Sequence, residues 1–379
     1  MFPRLPPLLR VSLMMVLTVC FSLLILDNIR RSASDSPTDS NDISFPDNDQ
    51  VLPVRQAQLS SAVNDSVTAK TTKDSTVYKN PVNPLMFDYI MNPGNTCRGL
   101  NLSLIIYVHS APKNVKKRQA IRETWGDQTL MKEFRARLVF VLGVDVESKI
   151  MNALRLESSQ YSDIVQENYL DSYRNLTFKA LSAIKWVSTF CRNAEFVLKS
   201  DDDILVNLFQ LSHYMDAIRN NPSTSHGVIL CNLWTKMAVM RNNKSKWYVP
   251  KDEFPLDYFP PYCSGSAFLF TSDVVQTLYN VSFGTPFFWV DDYFLTGLLM
   301  QKTHFRYLKM NRMYALNPHK VVDIFLSGKI DNVMFSHVQG TTNMYLLWRA
   351  MYKHYRGNQT STFNWTEILK KQKETVVNT

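Results

Sequence analysis

A run of three acidic residues is the pattern in this sequence that most directly suggests chemistry. The segment KSDDDILVN, from Lys199 to Asn207, follows the apolar run EFVL, which has the composition of a buried strand. In an extended chain, residues two positions apart point to the same side, so Asp201 and Asp203 share a face and Asp202 faces away. Adjacent carboxylates repel each other, and a divalent cation relieves that repulsion. The pattern predicts that Asp201 and Asp203 hold Mg²⁺ or Mn²⁺ on a diphosphate, with a solvated acidic turn as the alternative.

A second pair of carboxylates, Asp291 and Asp292, follows the aromatic run Phe287–Trp289. Burial beside aromatic rings disfavours an ionised carboxylate and raises its pKa, which suits a general base. The rings also offer a stacking surface for a sugar. The same two residues fit the first turn of a helix that runs to about Gln301, where acidic side chains are favourable. Both interpretations can hold together.

Several basic residues come just after the strand-like run Leu102–His109. They are Lys113, Lys116, Lys117, Arg118 and Arg122. Such a cluster can neutralise phosphate groups at the start of a helix. The three lysines fit a solvated helix face equally well, whereas Arg118 and Arg122 are four residues apart and share a face. His337 lies alone on an apolar alternating run, where a histidine is usually structural.

Strand-like and helical segments alternate along the chain and must position these residues. The runs Leu102–His109, Arg137–Gly143 and Glu195–Leu198 have the apolar composition of buried strands. Helical periodicity is found in Asp171–Phe190 and again between Leu208 and Ile218. This alternation predicts an α/β domain with a mixed, mainly parallel sheet.

The composition excludes several classes of protein. With 45% hydrophobic and 20% charged residues, the chain can bury a core and is not wholly disordered. Neither a GxGxxG fingerprint nor a P-loop occurs, so neither of these phosphate-binding motifs is available. The net charge of +9 favours acidic partners, such as phosphorylated small molecules.

The amino-terminal part of the chain divides into three segments. Residues 1–10 form a short basic tail, and residues 11–26 form an uncharged run that predicts a transmembrane signal-anchor. The charges on its two sides favour a cytosolic amino terminus, with a cleaved signal peptide as the alternative. Residues 27–83, rich in Ser, Asp, Asn, Thr and Pro, predict a disordered stem, and residues 84–379 a luminal domain.

Sequons and cysteines agree with a luminal domain, for which nucleic acid is not an expected partner. Seven N-x-S/T sequons occur, at Asn64, Asn101, Asn175, Asn243, Asn280, Asn358 and Asn364. One cysteine, Cys20, lies in the predicted anchor. The others can form two disulfides, in any of three pairings, or remain buried thiols; they are Cys97, Cys191, Cys231 and Cys263.

Six ordered motifs lie between Phe87 and Arg349. The segments are Phe87–Cys97, Arg118–Gly126, Asp171–Lys179, Lys199–Asn207, Lys246–Val249 and Pro260–Gly265. Together they resemble the β1,3-galactosyltransferase and β1,3-N-acetylglucosaminyltransferase family of inverting glycosyltransferases, glycosyltransferase family 31. The sequence departs from this family at Asp291-Asp292-Tyr293, where the family has Glu-Asp-Val, and at Gly297, which comes one residue late.

The resemblance implies a GT-A fold, a UDP-sugar donor and Mn²⁺ as cofactor. It implies that Asp201 and Asp203 hold the metal on the diphosphate, with His337 as a further ligand. It also implies that Asp292 deprotonates the acceptor 3-hydroxyl, which attacks the anomeric carbon with inversion. The residues predicted to bind the nucleotide and its metal are Arg118, Arg122, Lys179, Asp202 and Asp171. Those predicted to contact the acceptor or donor sugar are Trp247, Tyr248, Trp289, Asp291 and Gly265.

The function implied is that of a type II Golgi membrane β1,3-hexosyltransferase, which transfers galactose from UDP-galactose to an acceptor glycan on protein or lipid. Transfer of N-acetylglucosamine from UDP-GlcNAc is the alternative. The segment Phe87–Cys97 resembles the galactosyltransferase side of the family, whereas Asp at position 291 also occurs on the other side. A catalytically inactive sugar-binding relative is a further alternative, against which the intact Asp201, Asp203 and Asp292 argue. A metal-dependent phosphatase or nuclease would need more acidic and histidine ligands around two metals.

Overall fold

The computed structural model describes residues 51–53 and 87–357 of the 379-residue chain. All of them belong to one unit, Asp49–Thr379. The predicted tail and anchor lie outside the described residues, as do Cys20, Asn64, Asn358, Asn364 and the predicted stem apart from residues 51–53. In the part that is described, no helix has the length and apolar character needed to cross a membrane.

The described elements alternate between strands and helices for most of the chain. The strands are β1 (Val51–Pro53), β2 (Tyr89–Met91), β3 (Leu102–His109), β4 (Ala136–Val144), β5 (Ile164–Leu170), β6 (Ala194–Asp201), β7 (Ile204–Val206), β8 (Val228–Trp234), β9 (Met237–Ala238), β10 (Tyr258–Phe259), β11 (Tyr262–Thr271), β12 (Arg306–Lys309), β13 (Tyr314–Ala315) and β14 (Phe335–His337). The helices are α1 (Val115–Arg122), α2 (Gln128–Glu133), α3 (Ser148–Tyr161), α4 (Leu176–Phe190), α5 (Leu208–Arg219), α6 (Ser272–Ser282), α7 (Asp291–Tyr293), α8 (Pro318–Leu326) and α9 (Thr341–Arg356).

Nine strands form one sheet in the order β1-β12-β8-β11-β6-β3-β4-β5-β2. Strands β6, β3, β4 and β5 pair in parallel at its centre, and β12 pairs in parallel with β8. Strand β11 pairs antiparallel with both β6 and β8, and the two edge strands are also antiparallel. This mixed sheet with a parallel central block confirms the α/β architecture predicted from the alternation of elements.

Helices cover both faces of this sheet, so its central strands are apolar throughout. Along β3, Ile105 and Tyr107 belong to a core that includes residues of α4 and α6. The intervening Leu104 and Ile106 belong to a second core, shared with α1, α2, α5, α8 and α9. Successive side chains of a strand point to opposite faces, and burial of both faces explains the continuous apolar run.

The predicted strand Leu102–His109 has the same bounds in the structure. The predicted helix Asp171–Phe190 begins later, at Leu176. Asp171 lies outside the helix because its carboxylate bonds the Gly143 N–H and the Lys179 ammonium.

Two disulfides select one of the three pairings that the sequence left open. They join Cys97 to Cys191 and Cys231 to Cys263. The first ties the segment before β3 to the residue after α4, and the second links β8 to β11.

Candidate active site

The carboxyl ends of β3 and β6 meet at one edge of the sheet. The two strands pair in parallel, and their register places His109 opposite Asp201. Open α/β sheets bind ligands beyond the carboxyl ends of their strands, where loops can converge. The acidic run that begins at Asp201 lies at such an edge.

Asp202 is buried, and its carboxylate is occupied by protein donors. It accepts hydrogen bonds from Ser110 Oγ at 2.7 Å, Asn114 Nδ2 at 2.7 Å and Lys117 Nζ at 2.8 Å. These donors lie between the end of β3 and the first turn of α1. Asp202 therefore fixes the start of α1 against the acidic run. Strand β6 ends at Asp201, so the predicted alternation does not continue through the run, and Lys117 Nζ also donates to Asp203 Oδ2 at 3.2 Å.

Asp201 is held by a lysine from its own strand. Lys199 is a buried residue of β6. Its Nζ donates to Asp201 Oδ1 at 2.6 Å and also to the carbonyl of Gly265. The Asp201 side chain is 38% exposed, but the surrounding protein atoms still desolvate its carboxylate and raise its pKa to about 7. Lys199 opposes this increase, and Asp203 adds to it. Burial works against the charge of Lys199, but Asp201 and Asp291 outweigh it and raise the lysine pKa.

His337 reaches the same edge through a second, three-stranded sheet. Strand β14 pairs antiparallel with β7, which directly follows the acidic run, and His337 lies opposite Ile204. The Val338 N–H donates to the Asp203 carbonyl at 2.8 Å and continues this pairing. The structure thus brings together the three residues predicted as metal ligands along the wall of one cavity.

The three residues suit a divalent ion by chemical type. Two carboxylates and an imidazole are a donor set that binds Mn²⁺ or Mg²⁺. Among the described residues, however, no three His, Cys, Asp or Glu side chains already form a group that could hold an ion. Lys199 and Lys117 lie against the Asp201 and Asp203 carboxylates at 2.6 and 3.2 Å. The ligand roles of Asp201, Asp203 and His337 remain a prediction.

Asp292 lies at the first turn of α7, where two backbone N–H groups bind its carboxylate. Oδ2 accepts a hydrogen bond of 3.0 Å from Gly265, and Oδ1 accepts one of 2.8 Å from Tyr293. Gly265 lies in a register shift of the β11–β8 pairing, and such bulges re-aim the backbone. Burial, with the neighbouring Asp291 carboxylate, raises the pKa of Asp292 to about 7. Asp292 lies at a helix start, as one interpretation predicted. Its role as a general base stays a prediction.

The glycine that comes one residue late in this motif lies in a π turn. Helix α7 continues into a π turn, Phe294–Leu298, in which the Leu299 N–H donates to the Phe294 carbonyl at 3.0 Å. A π turn accommodates one extra residue in a helix. A Cβ on Gly297 would come within 2.6 Å of the Tyr293 ring, so a larger residue at this position would force the ring or the backbone to shift.

Asp291, the partner of Asp292, faces a histidine that the sequence did not single out. His109 Nδ1 lies 3.7 Å from Asp291 Oδ2. Burial, assisted by the charges of Lys199 and Lys179, holds the pKa of His109 well below its usual value, so the ring is neutral. Burial likewise raises the pKa of Asp291. The sequence could have indicated His109 as a site residue, because it is the last residue of a predicted strand. It could also have indicated Lys199, because strand alternation puts Lys199 on the same side as Asp201.

Two cavities meet at this pair of carboxylates. We call the first, of about 340 Å³, the aromatic cavity; the residues particular to it include Met237, Met240, Phe259, Tyr262, Trp289 and Val290. We call the second, of about 370 Å³, the polar cavity; the residues particular to it include His109, Lys199, Asp201, Asp203, Gly265 and His337. The two cavities share the wall formed by Tyr173, Leu176, Trp234, Trp247, Asp291 and Asp292.

Aromatic and basic side chains surround the shared wall. Trp247 is exposed, and Lys246 Nζ lies 4.4 Å from its ring centre. Trp289 is buried beneath Arg174, whose guanidinium lies 4.0 Å from the indole. Tyr248, predicted as a sugar contact, is half-buried, and its carbonyl accepts a 3.3 Å hydrogen bond from Arg174.

The two arginines predicted to bind phosphate are engaged elsewhere. Arg118 is fully buried, and its guanidinium donates to both Glu157 oxygens, to Ser110 Oγ and to the carbonyls of residues 111 and 112. Arg122 pairs with Asp163 at 2.8 Å and with Glu157 at 2.8 Å. These contacts hold α1 against α3 and leave the Arg118 guanidinium no free N–H group.

Lys179 and Asp171, the other predicted nucleotide contacts, form a buried pair near the end of β3. Lys179 Nζ donates to Asp171 Oδ1 at 2.9 Å and to the Ser110 carbonyl at 2.5 Å. The second Asp171 oxygen accepts the Gly143 N–H at 2.8 Å. The pair therefore connects α4 with the ends of β3 and β4.

The described sequons differ in accessibility. Asn101, Asn243 and Asn280 are exposed. Asn175 is half-buried, its amide donates to the Leu170 carbonyl at 2.9 Å, and Thr177 of the same sequon is buried. Their glycosylation remains a prediction.

Comparison with known proteins agrees with the motifs. The galactosyltransferase family model matches residues 116–311, which is more than half of the chain. Human and mouse beta-1,3-galactosyltransferase 1 are each 34% identical over 224 residues, or 59% of this chain and 67% of theirs. Mouse beta-1,3-galactosyltransferase 2 is 30% identical over 271 residues, or 71% of this chain and 63% of its own.

Solved structures give weaker matches. The galactosyltransferase LgtC in complex with donor and acceptor sugar analogs has a TM-score of 0.34 and 10% identity, over 65% of this chain and 95% of its own. A glycosyltransferase involved in the glycosylation of the major capsid of PBCV-1 has a TM-score of 0.35 and 9% identity, over 65% and 98%. TM-scores this low support no conclusion about function. On the extent of the family match and the identity to its members, this chain belongs to the galactosyltransferase family and is a glycosyltransferase.

Proposed function

We propose that this enzyme is a β1,3-galactosyltransferase of GT-A fold, which transfers galactose from UDP-galactose to the 3-hydroxyl of an acceptor glycan with inversion. The observation that carries the proposal is the position of Asp292. Its carboxylate lines both the aromatic and the polar cavity, and it is the only side chain besides Asp291 in the described part of the shared wall that can act as a base.

The polar cavity suits the donor. It contains Asp201, Asp203 and His337, together with the ammonium group of Lys199. We propose that the first three residues hold Mn²⁺, which would offset the negative charge of the diphosphate and of the departing UDP. Lys199, fully buried and positively charged, would remain close enough to orient Asp201.

The aromatic cavity suits the acceptor. The exposed indole ring of Trp247 offers a flat apolar face for a pyranose, whereas Trp289 lies beneath Arg174. In the proposed reaction, Asp292 takes the proton of the acceptor 3-hydroxyl while that oxygen bonds to the anomeric carbon of the donor. The bond from this carbon to the UDP oxygen breaks on the opposite face, and its electron pair leaves with UDP. The N–H groups of Gly265 and Tyr293 orient the carboxylate for the proton transfer.

We also propose that the chain is anchored in the Golgi membrane by residues 11–26, with the amino terminus in the cytosol. The uncharged run, the basic residues before it and the sequons after it support this topology. The exposed Asn101, Asn243 and Asn280 are accessible to glycosylation.

The test is donor-dependent UDP release by the full-length chain with Mn²⁺. UDP-galactose and UDP-GlcNAc are each offered with acceptors that end in N-acetylglucosamine, N-acetylgalactosamine or galactose, beside an Asp292→Asn variant. Acceptor-dependent turnover with UDP-galactose, lost in the variant, is the expected result.

Other outcomes discriminate among the alternatives. Turnover with UDP-GlcNAc alone would make the enzyme a β1,3-N-acetylglucosaminyltransferase, which Asp291 in place of the family's Glu would favour. Turnover that survives Asp292→Asn would overturn the assignment of the base. Donor binding without turnover on any acceptor would favour a catalytically inactive relative.

A further inference from the structure

The aromatic cavity is more apolar than a site for a sugar alone needs to be. Beside the carboxylates of Asp291 and Asp292, the side chains of its described wall offer only phenol and indole groups for hydrogen bonding. Other parts of the wall are aliphatic or thioether side chains, namely Leu176, Met237, Met240 and Val290. A sugar carries hydroxyls around its ring, and a hydroxyl buried without a partner costs free energy. This part of the wall therefore suits a ligand group without hydroxyls.

The apolar wall continues from the carboxylates out to the surface. Val290, next to Asp291 in the chain, and Leu176 are half-buried, whereas Met240 is 40% exposed and Trp247 is 52% exposed. Leu256 and Tyr258 are also exposed, and Tyr258 lies on β10, which pairs with β9 beside Met237. A ligand whose hydroxyl reaches Asp292 could therefore extend along apolar side chains until it reaches solvent.

We propose that the aromatic cavity binds an alkyl chain attached to the acceptor sugar, so that the acceptor is a glycolipid. The proposal rests on the proposed function, because it takes Asp292 to be the residue that receives the acceptor hydroxyl. Methionine side chains are unbranched and adaptable, which suits a flexible chain. Removal of the chain from water supplies binding free energy in proportion to the apolar area buried.

A glycopeptide would fit this wall less well than a lipid. Each peptide unit brings an N–H and a C=O group that need partners when they are buried. The described wall offers few such partners, and an alkyl chain needs none. The chemistry of the wall therefore favours the lipid as the source of the apolar group.

The test compares methyl and octyl glycosides of the same acceptor sugar with the full-length enzyme in amphipol. The sugars are N-acetylglucosamine, N-acetylgalactosamine and galactose, and a glycopeptide that carries each sugar is the third arm. All alkyl glycosides are kept below their critical micelle concentrations. We expect KM to be at least about tenfold lower for the octyl than for the methyl glycoside, roughly what the burial of two methylene groups provides.

The double variant Met237→Gln/Met240→Gln replaces two apolar side chains of the cavity by polar ones of similar length. It should bring the ratio of the two KM values close to one. Leu326→Gln is the matched control, because Leu326 is exposed on α8, outside both cavities. This control should keep the wild-type ratio.

Each other outcome is decisive. Equal KM values for methyl and octyl glycosides in the wild type would overturn the proposal while leaving the proposed transferase intact. A higher kcat/KM for the glycopeptide than for the octyl glycoside would overturn the proposal that the acceptor is a glycolipid. If no acceptor is turned over, the proposed function fails, and binding of the two glycosides is then compared by tryptophan fluorescence. Equal dissociation constants in that measurement would overturn the alkyl site independently.

Discussion

The backbone N–H of Gly265 donates a 3.0 Å hydrogen bond to Asp292 Oδ2, across 27 residues of sequence. The contact joins a bulged strand, β11, to the first turn of α7. A Cβ on residue 265 would lie 3.0 Å from the same oxygen and 3.3 Å from the Asp292 Cβ. These contacts are tighter than ordinary van der Waals contact, so a side chain at position 265 would require the Asp292 carboxylate to move by a few tenths of an ångström.

Substitution of Gly265 by alanine should therefore displace the proposed base. We expect Gly265→Ala to lower kcat by roughly threefold to tenfold, because a shift of about 1 Å at a reacting group costs about a hundredfold and this shift is smaller. Steady-state kinetics and a far-UV circular dichroism spectrum would measure activity and fold. Gly284→Ala is the control, because a Cβ there meets nothing within 4 Å. Equal losses in both variants would contradict the positional argument.

Activity should depend on the ionisation of Asp292. Its pKa is raised to about 7 by burial and by Asp291, and a base must be deprotonated to accept a proton. The value of kcat/KM should therefore rise with pH below about 7 and level off above it. A profile that is flat between pH 5.5 and 8 would exclude Asp292, with this pKa, as the base.

The same raised pKa predicts that the base destabilises the fold. A carboxyl whose folded pKa lies above its unfolded value binds protons more tightly in the native state, so stability falls as pH rises from about 4 to about 7. Asp292→Asn removes this cost and keeps an oxygen for the Gly265 N–H, but the Tyr293 N–H loses its acceptor, which offsets part of the gain. We expect it to stabilise the protein by roughly 1–2 kcal/mol at pH 8 and by less as the pH falls toward 4. Urea unfolding at several pH values measures the difference.

The three adjacent aspartates should separate into two classes. Asp203 lines the polar cavity, whereas Asp202 accepts three hydrogen bonds from Ser110, Asn114 and Lys117. Asp203→Asn should raise the Mn²⁺ concentration needed for donor binding by about tenfold or more. Asp202→Asn should leave that concentration within about twofold and lower the stability by roughly 1–3 kcal/mol. Calorimetric Mn²⁺ titrations with UDP, beside thermal unfolding, would show whether the effects separate in this way.

Arg118 should contribute to folding rather than to nucleotide affinity. Arg118→Lys replaces a planar guanidinium that donates to both Glu157 oxygens and to loop carbonyls, and a lysine cannot reproduce that geometry. We expect a loss of about 2–4 kcal/mol in the free energy of unfolding, because buried charge is left partly unpaired. The exposed Arg219→Lys, whose partners are Glu195 and Asp216, should cost about 0.5 kcal/mol or less. A change in UDP affinity without a change in stability would restore the phosphate-binding prediction for Arg118.

Local rules were sufficient for much of the fold and part of the site. The apolar run located β3 with its bounds. Strand alternation also places Lys199 and Asp201 on one side of β6, and the two side chains do form an ion pair. The sequence does not show that Lys199 is buried, so its importance could not be predicted.

Contacts between distant segments could not be predicted in this way. Arg118 and Arg122 share a helix face as expected, but their partners, Glu157 and Asp163, lie on and just after α3. Two arginines four residues apart on a helix have the same sequence pattern whether they bind phosphate or pair with buried carboxylates. The packing of α1 on α3 decides between the two.

If donor and acceptor bind in the two cavities as proposed, the shared wall provides a physical route for coupling between their binding equilibria. Trp247, Tyr173 and Trp234 would contact ligands on both sides, so an arrangement of these rings selected by one ligand is presented to the other. If a bound nucleotide sugar raises the affinity for the acceptor by some factor, the acceptor must raise the affinity for the nucleotide sugar by the same factor. Mutations in this wall would therefore change the cooperativity between substrates as well as their separate affinities.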